Sequence, residues 1–120
     1  MKTILVVDDD EMNLKMAKFI LQEKNYIVIT AVSGMECLTI LKSKWVDLIL
    51  LDVEMPIMNG IKTLERIREN EEWVDIPVMF LTADATEDTV IAAGRLEAVG
   101  YVKKPYMPQD FLERVRKIIN

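Results

Sequence analysis

Short runs of hydrophobic residues, separated by longer mixed segments, set the architecture that the sequence predicts. Four runs are strong, at residues 4–7, 26–29, 48–51 and 78–81, and a weaker fifth covers residues 101–102. The first, third and fourth are apolar at every position, which is typical of strands buried on both faces of a sheet. The pattern therefore predicts five strands, three of them central.

Helix signals lie in the segments between the strands. Apolar residues recur there at helical spacing. Ser33 followed by Glu36 predicts a capping box at the start of the second helix, and Pro108 suits the first turn of the last helix. Residues 86–98 have the weakest helical pattern, because Gly94 interrupts a stretch of mostly small side chains.

A strand and a helix alternate five times, and this alternation predicts an α/β fold. Strand–helix–strand crossovers are right-handed and give a parallel sheet with helices on both faces. We expect a flavodoxin-like (βα)5 domain over residues 1–120, with a five-stranded parallel sheet of order 2-1-3-4-5.

Polar residues end four of the five predicted strands. In an open parallel sheet the ligand site lies outside the carboxyl ends of the strands, where the strand order switches. With the first and third strands as neighbours there, three aspartates are expected to share a pocket. The groups are Asp8, Asp9 and Asp10 after the first strand, Asp52 after the third, Thr82 after the fourth, and Lys103 and Lys104 after the fifth.

Such a pocket needs a positive partner. Two like charges about 4 Å apart repel by about 4 kcal/mol at an effective dielectric constant of about 20. Asp8, Asp9 and Asp52 offer only oxygen ligands, the type that suits a hard divalent cation. The expected cofactor is Mg²⁺, with Mn²⁺ as a substitute.

Composition narrows the function classes. The 120 residues are 51% hydrophobic, with 15 basic and 20 acidic residues, one cysteine and no histidine. The absence of histidine excludes histidine-dependent catalytic dyads and triads as well as histidine metal ligands. The net charge of −5 argues against direct nucleic-acid binding. No apolar run has the length of a signal peptide or membrane span, so we expect a soluble cytoplasmic protein without membrane association.

Four motifs in this frame resemble the receiver domain of bacterial response regulators, including the chemotaxis regulators. They follow the order and spacing of that family across essentially the whole chain. The motifs are ILVVDDD (residues 4–10), DLILLDVEMPIMNG (47–60), PVMFLTA (77–83) and GYVKKPY (100–106).

The resemblance implies a phosphoacceptor rather than an enzyme that turns over an external substrate. The phosphoryl donor would be a histidine kinase or a histidine phosphotransfer protein. Phosphorylation would switch the face formed by the fourth strand, the fourth helix and the fifth strand, which such domains also use to form homodimers. The implied site residues are Asp52 as phosphoacceptor, Asp9 and Asp52 as direct metal ligands, Asp8 acting largely through water, Glu54 as a main-chain carbonyl ligand, Thr82 and Lys104 as partners of phosphoryl oxygens, and Thr82 and Tyr101 as switch residues.

Three positions depart from the family pattern or blur it. Glu97 stands where the family usually has glycine, so the conformation of that loop is open. Glu54 and Asp84 follow Asp52 and Thr82 by two residues, at positions that commonly tune phosphoryl hydrolysis in the family. The sequence does not indicate whether these two acidic residues speed or slow hydrolysis. It also leaves open the downstream effector, and whether the receiver stands alone or belongs to a longer regulator.

An enzyme is the main alternative. Asp8 and Asp10 imitate the nucleophile and acid/base of a small haloacid-dehalogenase-like phosphohydrolase. The chain is short for that fold, however, and this alternative gives Asp52 no role. A mononucleotide or flavin binder is weaker still, because no glycine-rich loop follows the first strand.

Overall fold

The computed structural model describes residues 1–120, and its strands form one parallel sheet of order β2-β1-β3-β4-β5. This confirms the predicted flavodoxin-like topology. None of the five helices has the length and hydrophobicity required to cross a bilayer. The elements are β1 (Thr3–Val7), α1 (Glu11–Gln22), β2 (Ile27–Ala31), α2 (Gly34–Leu41), β3 (Leu48–Asp52), α3 (Gly60–Arg68), β4 (Val78–Thr82), α4 (Glu87–Arg95), β5 (Gly100–Lys103) and α5 (Pro108–Ile119).

The sheet separates two hydrophobic layers, which explains why its central strands are apolar throughout. Successive side chains of a strand point to opposite faces. Leu50 accordingly packs in the layer with α1 and α5, whereas Leu51 packs in the layer with α2, α3 and α4. Both are fully buried. The two layers hold the carboxyl ends of β1, β3 and β4 side by side.

Strand β2 begins one residue later and ends two residues later than the predicted run at 26–29. Its register with β1 pairs Thr30 with Val6 and Ala31 with Val7. Thr30 and Ala31 therefore belong to the edge strand because their main chains pair with β1. The polar side chain of Thr30 ends the apolar run at residue 29, so the sequence pattern did not include them. Asp52 and Thr82 are likewise the last residues of β3 and β4.

The predicted cap of α2 is present in a modified form. The Ser33 hydroxyl accepts a hydrogen bond from the Glu36 N–H at 3.1 Å. The Glu36 carboxylate reaches one residue further back and accepts from the Val32 N–H at 2.8 Å. Two exposed main-chain donors are thus satisfied. Pro108 occupies the first turn of α5, as expected.

Helix α4, the weakest in the sequence, ends in a Schellman motif. The Ala98 N–H donates to the Ala93 carbonyl at 2.8 Å, and the Glu97 N–H donates to the Gly94 carbonyl at 3.3 Å. Glu97 takes the left-handed conformation of that motif, with φ of 57°. This explains why glycine suits the position, and it resolves the loop conformation that the sequence left open.

Arg68, at the end of α3, holds this turn in place. Its Nε donates to the Leu96 carbonyl at 2.9 Å and its Nη2 to the Glu97 carbonyl at 3.3 Å. Its Nη1 donates to the carbonyls of Val74 and Ile76, at 3.1 and 3.0 Å. One guanidinium therefore joins the loop before β4 to the loop before β5.

The conformation of Glu97 leads to a stability prediction. Glu97→Gly removes the steric cost of a left-handed L-residue, about 1–2 kcal/mol, partly offset by the greater backbone freedom of glycine when unfolded. We expect the free energy of unfolding in urea to rise by about 0.5–1 kcal/mol. Glu97→Ala keeps Cβ and is the control. An equal gain in both variants would mean that loss of charge, not relief of strain, stabilises the protein.

The second prediction concerns Cys37, which is buried on α2. Burial raises the pKa of its thiol to about 12. Because the thiolate is the reactive form, a chromogenic disulfide reagent at about pH 8 should react with the folded protein at least roughly a hundredfold more slowly than with the urea-unfolded protein. Similar rates in the two states would contradict the buried position.

Candidate functional site

Three carboxylates meet at the carboxyl edge of the sheet. β1 and β3 are neighbours, with Val7 paired to Leu51, so the residues that follow, Asp8 and Asp52, come side by side. One oxygen from each of Asp8, Asp9 and Asp52 lies within 4.8 Å of the others. The structure therefore brings together the three aspartates that the sequence analysis placed in one pocket.

Two of these carboxylates are buried. Asp8 is 0% exposed and Asp52 is 1% exposed, whereas Asp9 faces solvent. The Oδ1 of Asp8 accepts a hydrogen bond from the Asp10 N–H at 3.0 Å. The Asp10 side chain does not join this cluster; it caps α1 by accepting a hydrogen bond from the Met12 N–H. A buried charge is costly unless it is paired, so the ionised forms of Asp8 and Asp52 need a positively charged partner.

Lys104 supplies one positive charge. Its Nζ lies 2.8 Å from Asp8 Oδ2 and 3.0 Å from Asp52 Oδ1. Its main-chain N–H donates to the Thr82 carbonyl at 2.8 Å, which fixes the residue beside the end of β4. Burial lowers the pKa of Lys104, but its hydrogen bonds to the two aspartates outweigh this and raise the pKa overall. The neighbouring Lys103 is exposed, as expected.

The pKa of Asp52 reflects its crowded surroundings. The pKa of its carboxyl is raised to about 7 overall: burial is the largest cause, the hydrogen bond from Lys104 lowers the pKa, and the charge of Asp8 raises it further. One lysine thus only partly compensates two buried carboxylates. A divalent cation held by the three aspartate oxygens would supply the missing positive charge. The all-oxygen donor set fits Mg²⁺.

A second group of contacts joins Glu54 to the end of β4. The Thr82 hydroxyl lies 2.8 Å from Glu54 Oε2, and the Ala83 N–H donates to Glu54 Oε1 at 3.1 Å. The hydroxyl also lies 2.9 Å from the Asp84 carbonyl, but it has one proton and the carboxylate is the stronger acceptor. The sequence analysis missed these contacts. The one signal for them was an acidic residue two positions after Asp52.

Gly60 allows the loop after β3 to fold back onto Asp52. Its N–H donates to the Val53 carbonyl at 2.9 Å. A Cβ at this position would overlap the main chain of Asp52 and Val53. The close approach requires glycine and holds the Glu54 segment against the site.

Two tyrosines lie near the fifth strand. Tyr101 is half-buried and packs against the layer containing α2, α3 and α4; its predicted switch role is a matter of motion and stays a prediction. Tyr106 is buried, and its hydroxyl has no hydrogen-bond partner. Burial raises the pKa of Tyr106, and the charges of Asp8 and Asp52 raise it further. Nothing in the sequence analysis singled out Tyr106.

Comparisons with known proteins agree with this geometry. The sequence model of the response regulator receiver domain family matches residues 4–116. The chain is 30% identical over 120 residues to the polar-differentiation response regulator DivK of Brucella ovis, covering 98% of this chain and 96% of DivK. A structure of the Vibrio cholerae chemotaxis protein CheY4 superposes with a TM-score of 0.93 and 28% identity, covering 98% of both chains.

A longer regulator is also similar. The chain is 32% identical over 118 residues to the phosphate regulon transcriptional regulatory protein PhoB of Pseudomonas aeruginosa. The match covers 98% of this chain and 52% of PhoB, so the chain spans about half the length of that relative.

Asp9, the exposed residue of the acidic cluster, offers a direct test of cation binding. Asp9→Asn removes one anionic oxygen donor without disturbing a buried group. The Mg²⁺ affinity measured by calorimetry should therefore fall by at least about tenfold. Removing even a residue that only supports a metal ligand costs about that much affinity. Asp10→Asn is the matched control, since asparagine can still cap α1. Equal losses in the two variants would indicate a general charge effect rather than a specific ligand.

Proposed function

Because the chain belongs to the response regulator receiver family, we propose that it accepts a phosphoryl group on Asp52 from a phosphohistidine of a partner protein. The chain is the receiver domain of a two-component response regulator. The observation that supports Asp52 as the acceptor is its position. It is a buried carboxylate at the end of a central strand, hydrogen-bonded to Lys104 and clustered with Asp8 and Asp9.

In the proposed transfer, an oxygen of Asp52 attacks phosphorus as the phosphorus–nitrogen bond to the donor histidine breaks. The electron pair of that bond leaves with the imidazole, and an acyl phosphate forms on Asp52. The carboxylates of Asp9 and Asp52 and the main-chain carbonyl of Glu54 would hold Mg²⁺, or Mn²⁺ in its place, and Asp8 would act largely through water. The cation, when bound, would neutralise charge on the phosphoryl oxygens.

Lys104 and Thr82 would respond to the new charge. Lys104 is already within hydrogen-bonding distance of Asp52, so its ammonium can pair with a phosphoryl oxygen. The Thr82 hydroxyl, at the end of the adjacent strand, would donate to another. Movement of Thr82 and rotation of Tyr101 would then bias the face formed by β4, α4 and β5 between two states. On this proposal the same face serves a phosphorylation-dependent homodimer.

The donor must bring the histidine, since this chain contains none. We propose a histidine kinase or a histidine phosphotransfer protein as that donor, in the cytoplasm, with residues 1–120 acting as one receiver domain. The activity is a single phosphorylation of the chain itself and its reversal, without turnover of an external substrate. A phosphohydrolase that uses Asp8 and Asp10 is not favoured, because the family match accounts for Asp52 and Asp10 serves as a helix cap.

The phosphoacceptor can be tested with a small acyl phosphate and Mg²⁺. Wild-type protein should gain one phosphoryl group, and Asp52→Asn should gain none, because the amide is not a nucleophile for this transfer. Asp8→Asn should slow the reaction without abolishing it. Intact-protein mass spectrometry provides the measurement, and Glu71→Gln is the control, because its side chain is exposed in the loop before β4, away from the carboxyl ends of the strands.

Two results would contradict the proposal. Modification of Asp52→Asn at the wild-type rate would place the phosphoryl group elsewhere. Steady hydrolysis of an external phosphate ester that requires Asp8 would favour the phosphohydrolase.

A further inference from the structure

We propose that the Glu54 carboxylate acts as an internal competitor of the phosphoryl group, holding in the unphosphorylated protein the donors that would otherwise bind phosphoryl oxygens. The inference rests on the proposed function, since it takes Asp52 as the phosphoacceptor. It assigns a function to the Glu54 side chain, which has no place in the phosphoryl-transfer step itself.

The first support is the way Glu54 binds. Its two carboxylate oxygens bridge two donors on consecutive residues, the Thr82 hydroxyl at 2.8 Å and the Ala83 N–H at 3.1 Å. Two oxygens of one tetrahedral phosphoryl group can satisfy a hydroxyl and an amide N–H that lie this close together, just as a carboxylate does. The donor pair is therefore an anion site, and Glu54 occupies it.

The second support is the position of these donors relative to Asp52. β3 and β4 are adjacent, with Asp52 paired to Leu81, so Thr82 and Ala83 directly follow the residue beside Asp52. The same edge of the sheet carries Glu54, two residues after Asp52. A phosphoryl group on Asp52 would thus meet the Glu54 carboxylate at the same donors. Because both groups are anionic, they cannot share those donors at low cost.

The third support is that Glu54 can leave. Glu54 and Ala83 are exposed, so the side chain can rotate into solvent without opening the core. The displaced carboxylate would be hydrated, and the loop itself would remain held by the hydrogen bond from Gly60 to Val53. Displacement is therefore a side-chain event, and its cost is set mainly by the two hydrogen bonds that are lost.

This competition predicts faster modification when Glu54 is removed. With acetyl phosphate as donor, the acyl oxygen–phosphorus bond breaks, an Asp52 oxygen–phosphorus bond forms, and acetate leaves with the electron pair. In Glu54→Ala the rate constant of this step, and the affinity for beryllium trifluoride as a phosphoryl analogue, should each rise by about tenfold, a gain that corresponds to about 1.4 kcal/mol. Glu54→Gln, which can offer one acceptor oxygen without charge, should lie between wild type and Glu54→Ala.

Glu87→Ala separates occupancy of the donors from charge. Glu87 is exposed in the first turn of α4, four residues after Ala83, and its carboxylate accepts no hydrogen bond from Thr82 or Ala83. Removing this side chain takes one negative charge from the segment that follows β4 but leaves the competitor in place. We expect a change of less than about twofold. A gain equal to that of Glu54→Ala would overturn the proposal in favour of simple charge repulsion.

The Ala83 amide proton gives a readout that does not depend on rate. In the unphosphorylated state, Glu54→Ala should move its NMR resonance upfield relative to wild type, because a charge-assisted hydrogen bond is lost. With beryllium trifluoride bound, the wild-type and variant resonances should converge, since both amides then donate to the analogue. Resonances that agree without the analogue and differ with it would overturn the proposal.

The two proposals fail in different ways. If wild-type protein is not modified at Asp52, the proposed function fails and this inference fails with it. If wild-type protein is modified, but Glu54→Ala shows neither the faster rate nor the shifted Ala83 resonance, only the competitor is overturned.

Discussion

Two buried carboxylates side by side, with one ammonium between them, impose the constraint on which the site depends. Asp8 and Asp52 are almost completely excluded from solvent, and Lys104 contacts both. Burial is the main cause of the raised pKa of Asp52; the hydrogen bond from Lys104 lowers that pKa, and the charge of Asp8 raises it further. One ammonium therefore compensates the two buried carboxylates only in part. The site is thus prepared for added positive charge. The solvent-facing Asp9 leaves a side from which a cation can approach.

Most of the fold could be predicted because burial on both faces leaves a strong sequence signal. Residues 48–51 and 78–81 are apolar throughout, since their side chains divide between two packed layers. The run at 26–29 predicted edge strand β2 but not its bounds, because its end at Ala31 follows from pairing with β1 rather than from its own side chains. Where such a strand ends depends on main-chain hydrogen bonds to its neighbour, and these leave no pattern in the side chains of a single sequence.

The acidic cluster could also be predicted, because parallel strands deliver their last residues to a common edge. The contacts of Glu54 and the unpaired hydroxyl of Tyr106 could not be. The first depends on the path of a loop that folds back at Gly60, and the second on how an aromatic ring is turned inside the core. Neither the loop path nor the ring orientation has a periodic signature. The motif resemblance gave Glu54 the role of a main-chain carbonyl ligand and a position that tunes hydrolysis, while the structure adds the hydrogen bonds of its carboxylate to Thr82 and Ala83.

The attachment of α4 is unequal at its two ends. Arg68 fastens the turn that follows the helix to α3 and to the loop before β4 through four main-chain carbonyls. The opposite end is connected to Thr82 by a short loop whose link to the rest of the site includes the Glu54 carboxylate. A displacement of α4 is therefore opposed most directly at its carboxyl end, where the hydrogen bonds from Arg68 to the Leu96 and Glu97 carbonyls would have to break.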